Sequence, residues 1–344
     1  MSGPGGAPAP RAPRGERPRA TFAMRPASLP GQLFAPATLE RLRGLVDLDP
    51  ELVLTEYDSD RAREALAGTE ILLAGWGAPP LTPAHRAPRL RAVVYAGGVA
   101  ATCLSDPAAF AARGLAAANA REANALPVAE YTLAMILLAN KQSFLAERLH
   151  RERRGPLDRE RELTDAGNYR RTVGIVGASS VGRALIRLLR PFDLDVLLYA
   201  PEVTEESAAA LGVRAASLER LMRESDVVTL HQPLTPQTAG QIDAGLLALL
   251  RDGATLINTA RGGVLDHEAL LHELRTGRIS AVLDVTDPEP LPPGSEFWDL
   301  PNVRLTPHIA GSMGRELHRL GAQVAAEVAR FVAGEPFAHP EVLA

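Results

Sequence analysis

The chain has one cysteine, Cys103, in 344 residues. That rules out an internal disulfide and a cysteine-built zinc site, suits a reducing cytoplasm, and leaves a buried structural thiol as the expected role of Cys103. An excess of basic charge is also missing. Thirty-seven Lys plus Arg stand against 41 Asp plus Glu, a net charge of -4, so no broad positive field invites nucleic acid or an anionic membrane. Long apolar runs are absent too: the most apolar stretch, Val128 to Ala139, carries Glu130 and is too short to cross a bilayer. The first nineteen residues are rich in Pro, Gly, Ala and Arg and hold no apolar block of the kind a signal peptide needs. They are expected to form a disordered tail over residues 1–19, whose Arg11, Arg14, Arg17 and Arg19 are read as solvated.

What is present is a length beyond the usual single domain, so two cores are expected. Order is expected to begin at Thr21-Phe22-Ala23-Met24. Strand-like runs then alternate with helix-like segments, the pattern of an α/β protein with parallel sheets. In the first third, strands are predicted at Phe22–Met24, Ile71–Trp76 and Ala92–Tyr95, with helices at Thr38–Val46 and Arg61–Leu66. A helix is predicted from Pro127, and the mixed-charge stretch from Arg148 to Arg171 reads as a solvated connection. Further strands are predicted at Thr172–Val176, Asp195–Tyr199, Val227–Leu230, Ala254–Asn258, Ala281–Val285 and Val303–Thr306. Helices at Val181–Leu189, Ala244–Leu250 and His267–Leu274 lie between them, which describes a doubly wound sheet. The last helix, about Arg315 to Val332, gathers Leu317, Leu320, Val324, Val328 and Phe331 on one face and is expected to pack back on the first unit.

After the strand at Val173–Val176 the chain reads Gly177-Ala178-Ser179-Ser180-Val181-Gly182 and enters a helix. This approximates a dinucleotide fingerprint: a tight turn at Gly177, backbone close to a pyrophosphate, and tight helix–strand packing at Gly182. Ser179 takes the middle glycine's place, so a phosphate would sit farther out or be held partly by its hydroxyl. An ordinary strand–turn–helix corner would look the same. The next strand ends Tyr199-Ala200-Pro201-Glu202, with Ala200 where such a site expects an acid for the ribose and Glu202 the only acid nearby. NAD is the expected cofactor, with NADP open.

Three segments follow predicted strands and therefore share the carboxyl edge of one sheet, where open α/β folds bind ligands. They are Asn258-Thr259-Ala260-Arg261-Gly262-Gly263, Asp284-Val285-Thr286-Asp287-Pro288-Glu289-Pro290 and Thr306-Pro307-His308-Ile309-Ala310-Gly311. Singly, such an Arg, Glu or His is more often a surface ion or a structural side chain. Jointly, a guanidinium, a carboxylate and an imidazole at three strand ends point to chemistry.

With these segments the sequence resembles the D-isomer-specific 2-hydroxyacid dehydrogenase family. The resemblance runs from Phe22 onward and takes in His231-Gln232-Pro233-Leu234-Thr235-Pro236-Gln237-Thr238 as a cofactor-contacting loop and Asn124…Val128-Ala129-Glu130 as an inter-domain helix. It implies two Rossmann-like doubly wound parallel-sheet domains with a cleft between them: a flavodoxin-like substrate domain over residues 20–123 plus 311–344, and a Rossmann NAD(P)-binding domain over 124–310. In that family Arg261 would hold the substrate carboxylate, His308 would act as general acid or base, and Glu289 would orient the imidazole and raise its titration. Gly97, Gly98 and Val99 would meet the same carboxylate through backbone amides. Gly177, Ser179, Ser180, Val181, Gly182, Pro201, Glu202, His231, Pro233, Thr238, Thr259, Ala260, Asp284 and Gly311, with Arg261 and His308, would line the cofactor. Asp284 would lie near the nicotinamide carboxamide, or simply cap a strand end.

The activity implied is hydride transfer between NAD(P)(H) and a small 2-keto or D-2-hydroxy acid, in a cytoplasmic homodimer with no metal. Glu289 in place of a glutamine sets aside formate oxidation. The alternative is an NAD(H)-sensing, corepressor-like protein of the same fold with little turnover, which Ser179 and Ala200 would suit.

Overall fold

The computed structural model describes residues 17–343. Of the expected tail, Arg11 and Arg14 lie outside the described residues. Its last residues are ordered, a correction to the sequence reading. The Arg17 guanidinium donates to the Arg43 carbonyl at 2.6 Å, and the Asp47 amide donates to the Pro18 carbonyl at 3.0 Å. The first strand already opens at Arg19.

The chain divides into two compact units, one running to Asn124 and resuming at Ser312, the other spanning Ala125–Gly311. In the first, β1 (Arg19–Ala23), β2 (Asp47–Leu54), β3 (Ile71–Ala74), β4 (Ala92–Tyr95) and β5 (Ala116–Asn119) form a parallel sheet in the order β2-β1-β3-β4-β5. Alternate side chains feed two cores. Phe22, Ile71, Leu73 and Val94 face one layer, while Ala23, Leu72, Ala74 and Val93 face the other. Burial on both faces is why these strands read as continuous apolar runs. β2 and β5 were missed for opposite reasons: β2 is an edge strand with charges and Pro50, and β5 reads Ala-Ala-Ala-Asn, a helix-like composition.

The helix Leu317–Ala333 returns to this unit and seats Leu320, Val324 and Val328 in its core, as expected. Gly321 makes the close crossing possible, since a Cβ there would lie 2.0 Å from the Leu33 carbonyl oxygen. Cys103 is buried in the opposite layer, and burial pushes its thiol up to about 12.

In the second unit, β6 (Arg171–Val176), β7 (Leu194–Tyr199), β8 (Arg214–Ala215), β9 (Val227–Leu230), β10 (Thr255–Asn258), β11 (Ser280–Leu283) and β12 (Val303–Leu305) make a parallel sheet ordered β12-β11-β10-β9-β6-β7-β8. The chain runs outward through β7 and β8, then returns to the other side of β6 with β9. The topological switch point therefore lies between the ends of β6 and β9.

Two expectations are corrected here. The helix expected from Pro127 begins at Arg121, so Pro127 stands inside Arg121–Asn140 rather than in its first turn. The stretch expected as a solvated connection carries the helices Ser143–Arg153 and Arg159–Glu162, tied by Arg153–Glu162 and Arg151–Glu147 ion pairs. Its mixed charges are helical pairs, not a linker signature. Among the described residues no helix is long and apolar enough to cross a membrane.

Candidate active site at the carboxyl edge of the second sheet

Beyond β10, Asn258 is fully buried and turns its amide back on its own loop. Oδ1 accepts from the Ala260 amide at 3.0 Å and Nδ2 donates to the Arg261 carbonyl at 2.9 Å. This closed turn explains the Asn-x-x-Arg spacing, because it leaves Arg261 exposed at the loop's outer end. The next residue must be glycine: a Cβ on Gly262 would fall 2.0 Å from the Thr286 carbonyl oxygen. The loops after β10 and β11 thus pack backbone to backbone.

Beyond β11, two carboxylates five positions apart behave oppositely. Asp284 is 2% exposed. Its Oδ1 accepts from the Thr306 hydroxyl at 2.6 Å and the Ile309 amide at 2.9 Å, and its Oδ2 accepts from the Ala310 amide at 2.9 Å. Its backbone oxygen accepts from the His308 amide at 3.0 Å. The carboxylate thus binds the chain's own loop, as a strand-end cap would. That clamp holds His308 at φ 55°, a left-handed conformation a non-glycine residue keeps only when its surroundings impose it.

Glu289 is 42% exposed, and its Oε1 accepts from Nδ1 of His308 at 2.7 Å. The imidazole is 51% exposed. With Nδ1 engaged, Nε2 is the ring nitrogen left to meet a ligand.

The cofactor-side candidates gather at the switch point. Gly177 adopts φ 106°, open to glycine alone, and a Cβ there would lie 2.6 Å from the Gln232 amide nitrogen. A Cβ on Gly182 would lie 2.2 Å from the Gly177 carbonyl oxygen. Both glycines are therefore required by the corner. The Ser179 hydroxyl accepts from the Gly182 amide at 3.3 Å as the cap of the helix Ser180–Leu189, in which Val181 is half-buried. It is first of all a helix cap, and its own proton stays available to an acceptor.

At the end of β7, Ala200 is buried in the core, while Pro201 and Glu202 are exposed. The His231 ring is buried, touches the Thr229 hydroxyl through Nε2 at 3.0 Å, and is pushed down to about 3 by burial. The Thr238 hydroxyl donates to the Pro233 carbonyl at 2.6 Å. The side chains of His231 and Thr238 are thus each bonded within their own segment. Thr259 is buried, Ala260 half-buried, and Gly311 closes the unit after the His308 loop.

In the first unit a Cβ on Gly97 would meet the Tyr95 ring at 2.5 Å, whereas one on Gly98 would meet open space. Glu341 accepts from the amides of Ala100 and Ala101 at 2.8 Å each. Any anion-binding capacity of this loop is confined to Gly97, Gly98 and Val99.

The model of the D-isomer specific 2-hydroxyacid dehydrogenase NAD-binding domain matches residues 133–310. The chain belongs to the D-isomer-specific 2-hydroxyacid dehydrogenase family. D-3-phosphoglycerate dehydrogenase of Mycobacterium leprae is 34% identical over 250 residues, covering 72% of this chain and 46% of that protein. The chain spans about half the length of the curated relatives it matches. A phosphoglycerate oxidoreductase of Rhizobium etli superposes with a TM-score of 0.78 at 24% identity, covering 94% of this chain and 98% of the other. D-mandelate dehydrogenase of Rhodotorula graminis does so at 0.74 and 24% identity, covering 94% and 97%. At that identity both likenesses speak for the fold.

The dehydrogenase-family fold uses residues that sequence reasoning passed over. Thr306 bonds Asp284, Tyr131 approaches the Thr306 hydroxyl at 2.8 Å, and Thr132 approaches that of Thr259 at 3.2 Å. The signal was faint: threonines two positions before Arg261 and before His308, and a polar Tyr-Thr pair in an apolar helix.

Proposed function

We propose that the chain is an NAD-dependent oxidoreductase that interconverts a small 2-keto acid and its D-2-hydroxy acid. The observation that carries this reading is the 2.7 Å bond between Nδ1 of His308 and Glu289, on a loop whose left-handed backbone is clamped by Asp284. Glu289 fixes which imidazole nitrogen faces the substrate. As the carbonyl carbon is reduced, the carbonyl oxygen takes the proton from Nε2 of His308; in oxidation Nε2 accepts it from the hydroxyl. Arg261 suits the carboxylate because its planar, permanently charged fork can grip both oxygens.

The residues fit a dinucleotide. The Gly177–Gly182 corner brings backbone and the N-terminus of the helix Ser180–Leu189 together at the switch point. NAD supplies the hydride acceptor or donor when bound. Exposed Glu202 disfavours an added 2′-phosphate, and neither Ala200 nor Pro201 offers a cation to pair one, so NAD is preferred over NADP. The buried Cys103 suits a reducing cytoplasm, and a homodimer, read by light scattering, is the proposed assembly.

The test measures NADH and NADPH oxidation against a panel of 2-keto acids that includes 3-phosphooxypyruvate, the keto form of the relatives' named substrate. His308→Ala is expected to lower kcat by roughly 10²–10⁴-fold. Turnover undiminished by that change sinks the mechanism. Binding of NADH with no turnover by the wild type would favour the sensing role instead.

A further inference from the structure

Two neighbouring residues of the helix Arg121–Asn140 reach the loops that carry Arg261 and His308. Hydrogen-bond directions can be assigned by elimination. The Thr306 hydroxyl has one proton, and its 2.6 Å partner Asp284 is a carboxylate that can only accept, so the proton goes there. At the 2.8 Å contact with Tyr131, Thr306 must therefore accept and the phenol must donate. Burial raises the Tyr131 phenol above its usual value, which keeps it a donor. The same logic applies one residue on. Thr132 donates to the Val128 carbonyl at 2.8 Å, so at its 3.2 Å contact Thr259 donates and Thr132 accepts.

Successive residues of a helix point about 100° apart, so one turn can reach two separate loops. Here Tyr131 engages the end of β12, Thr132 the end of β10, and each contacted threonine stands two residues before a candidate residue, His308 or Arg261. Within this unit the helix ties the two loops to one rigid element.

We infer that Tyr131 and Thr132 are positioning residues that together set the placement of His308 relative to Arg261. The inference rests on the proposed function for its kinetic consequence, but not for its structural one. Tyr131→Phe and Thr132→Val each remove one bond between the helix and a loop while preserving shape; Thr132→Val also removes the bond to the Val128 carbonyl within the helix. Each is expected to lower kcat about three- to tenfold, the range for one neutral hydrogen bond, with the NADH dissociation constant moved less than twofold. Because either loss frees the same spacing, the double variant should resemble the worse single rather than their product. Thr132→Ser, which restores the hydroxyl, should recover kcat.

A second readout needs no turnover: the His308 ring signal in a ¹³C–¹H spectrum, identified by its disappearance in His308→Ala, should shift in Tyr131→Phe. Unchanged kcat with an unmoved signal overturns the inference, as does multiplicative loss or failure of Thr132→Ser to rescue. If the wild type turns over no keto acid, the functional reading fails by itself. The His308 signal then decides the inference alone, a shift upholding it and an unmoved signal overturning it.

Discussion

The two ends of the second sheet's carboxyl edge are built by different physics. At β6 and β7 the corner is made by exclusion: Gly177 and Gly182 are required because any Cβ would collide with backbone. At β10 to β12 the loops are made by satisfaction, with buried Asn258 and Asp284 bonding the backbone that projects Arg261 and His308 outward. A steric corner tolerates no side chain but needs no partner. A polar anchor needs every partner, because a buried group left without one costs about 1–3 kcal/mol. The β10 to β12 end should therefore be the more fragile to single substitutions, and the two acids beyond β11 show why. Asp284 is buried with three side-chain bonds; Glu289 is half-exposed and bonds His308.

The largest effect that would break this comparison is at those acids. Asp284→Ala removes the acceptor of two amides and a hydroxyl, so a loss of about 3 kcal/mol or more is expected in denaturant unfolding, with kcat falling as the His308 loop relaxes. Glu289→Gln should leave unfolding within about 0.5 kcal/mol while still lowering kcat, since its partner is half-exposed. Equal stability of the two variants would show that Asp284 is no anchor.

Legibility in the sequence follows the same division. Arg261, Glu289 and His308, proposed above to carry the chemistry, could be named because polar groups at apolar strand ends stand out, and Gly177 and Gly182 because a glycine at a strand–helix corner has a steric meaning. The central strands were visible as buried apolar runs, whereas β2, β5 and β8 were hidden by charge, alanine and brevity. Asp284 could be placed at a strand end, but its three donors come from residues twenty-two to twenty-six positions away, and no local pattern encodes them. The burial of His231 was hidden for a related reason. In sequence it sits in a loop; in the fold its ring turns inward.

The two histidines extend the comparison to pH. His231 is pushed down to about 3 by burial, against an unfolded value near 6.5. As pH falls below about 6.5 the unfolded chain takes up a proton that folded His231 refuses, so stability is lost with a one-proton slope of about 1.4 kcal/mol per pH unit until the folded value is reached. His231→Gln should remove that slope from urea midpoints measured between pH 6.5 and 4.5. A wild-type and variant dependence that run parallel would show that the ring is not held neutral.

The smallest expected effect sharpens the other side of the contrast. If the β6 corner is made by exclusion, its one capping bond, from the Gly182 amide to the Ser179 hydroxyl at 3.3 Å, adds little to the geometry. Ser179→Ala should then cost about 0.5–1 kcal/mol in unfolding, the lower part of the range for a lost helix cap. NADH affinity separates two uses of the hydroxyl. A serine that only caps leaves the dissociation constant within about twofold, whereas one that also donates its free proton to a phosphate oxygen weakens binding about tenfold or more, as a charge-assisted bond would. Calorimetric titration of Ser179→Ala with NADH, beside Ser179→Gly to restore the ordinary turn residue, distinguishes these. Recovery in the glycine variant would mean that close backbone approach, rather than the hydroxyl, holds the pyrophosphate.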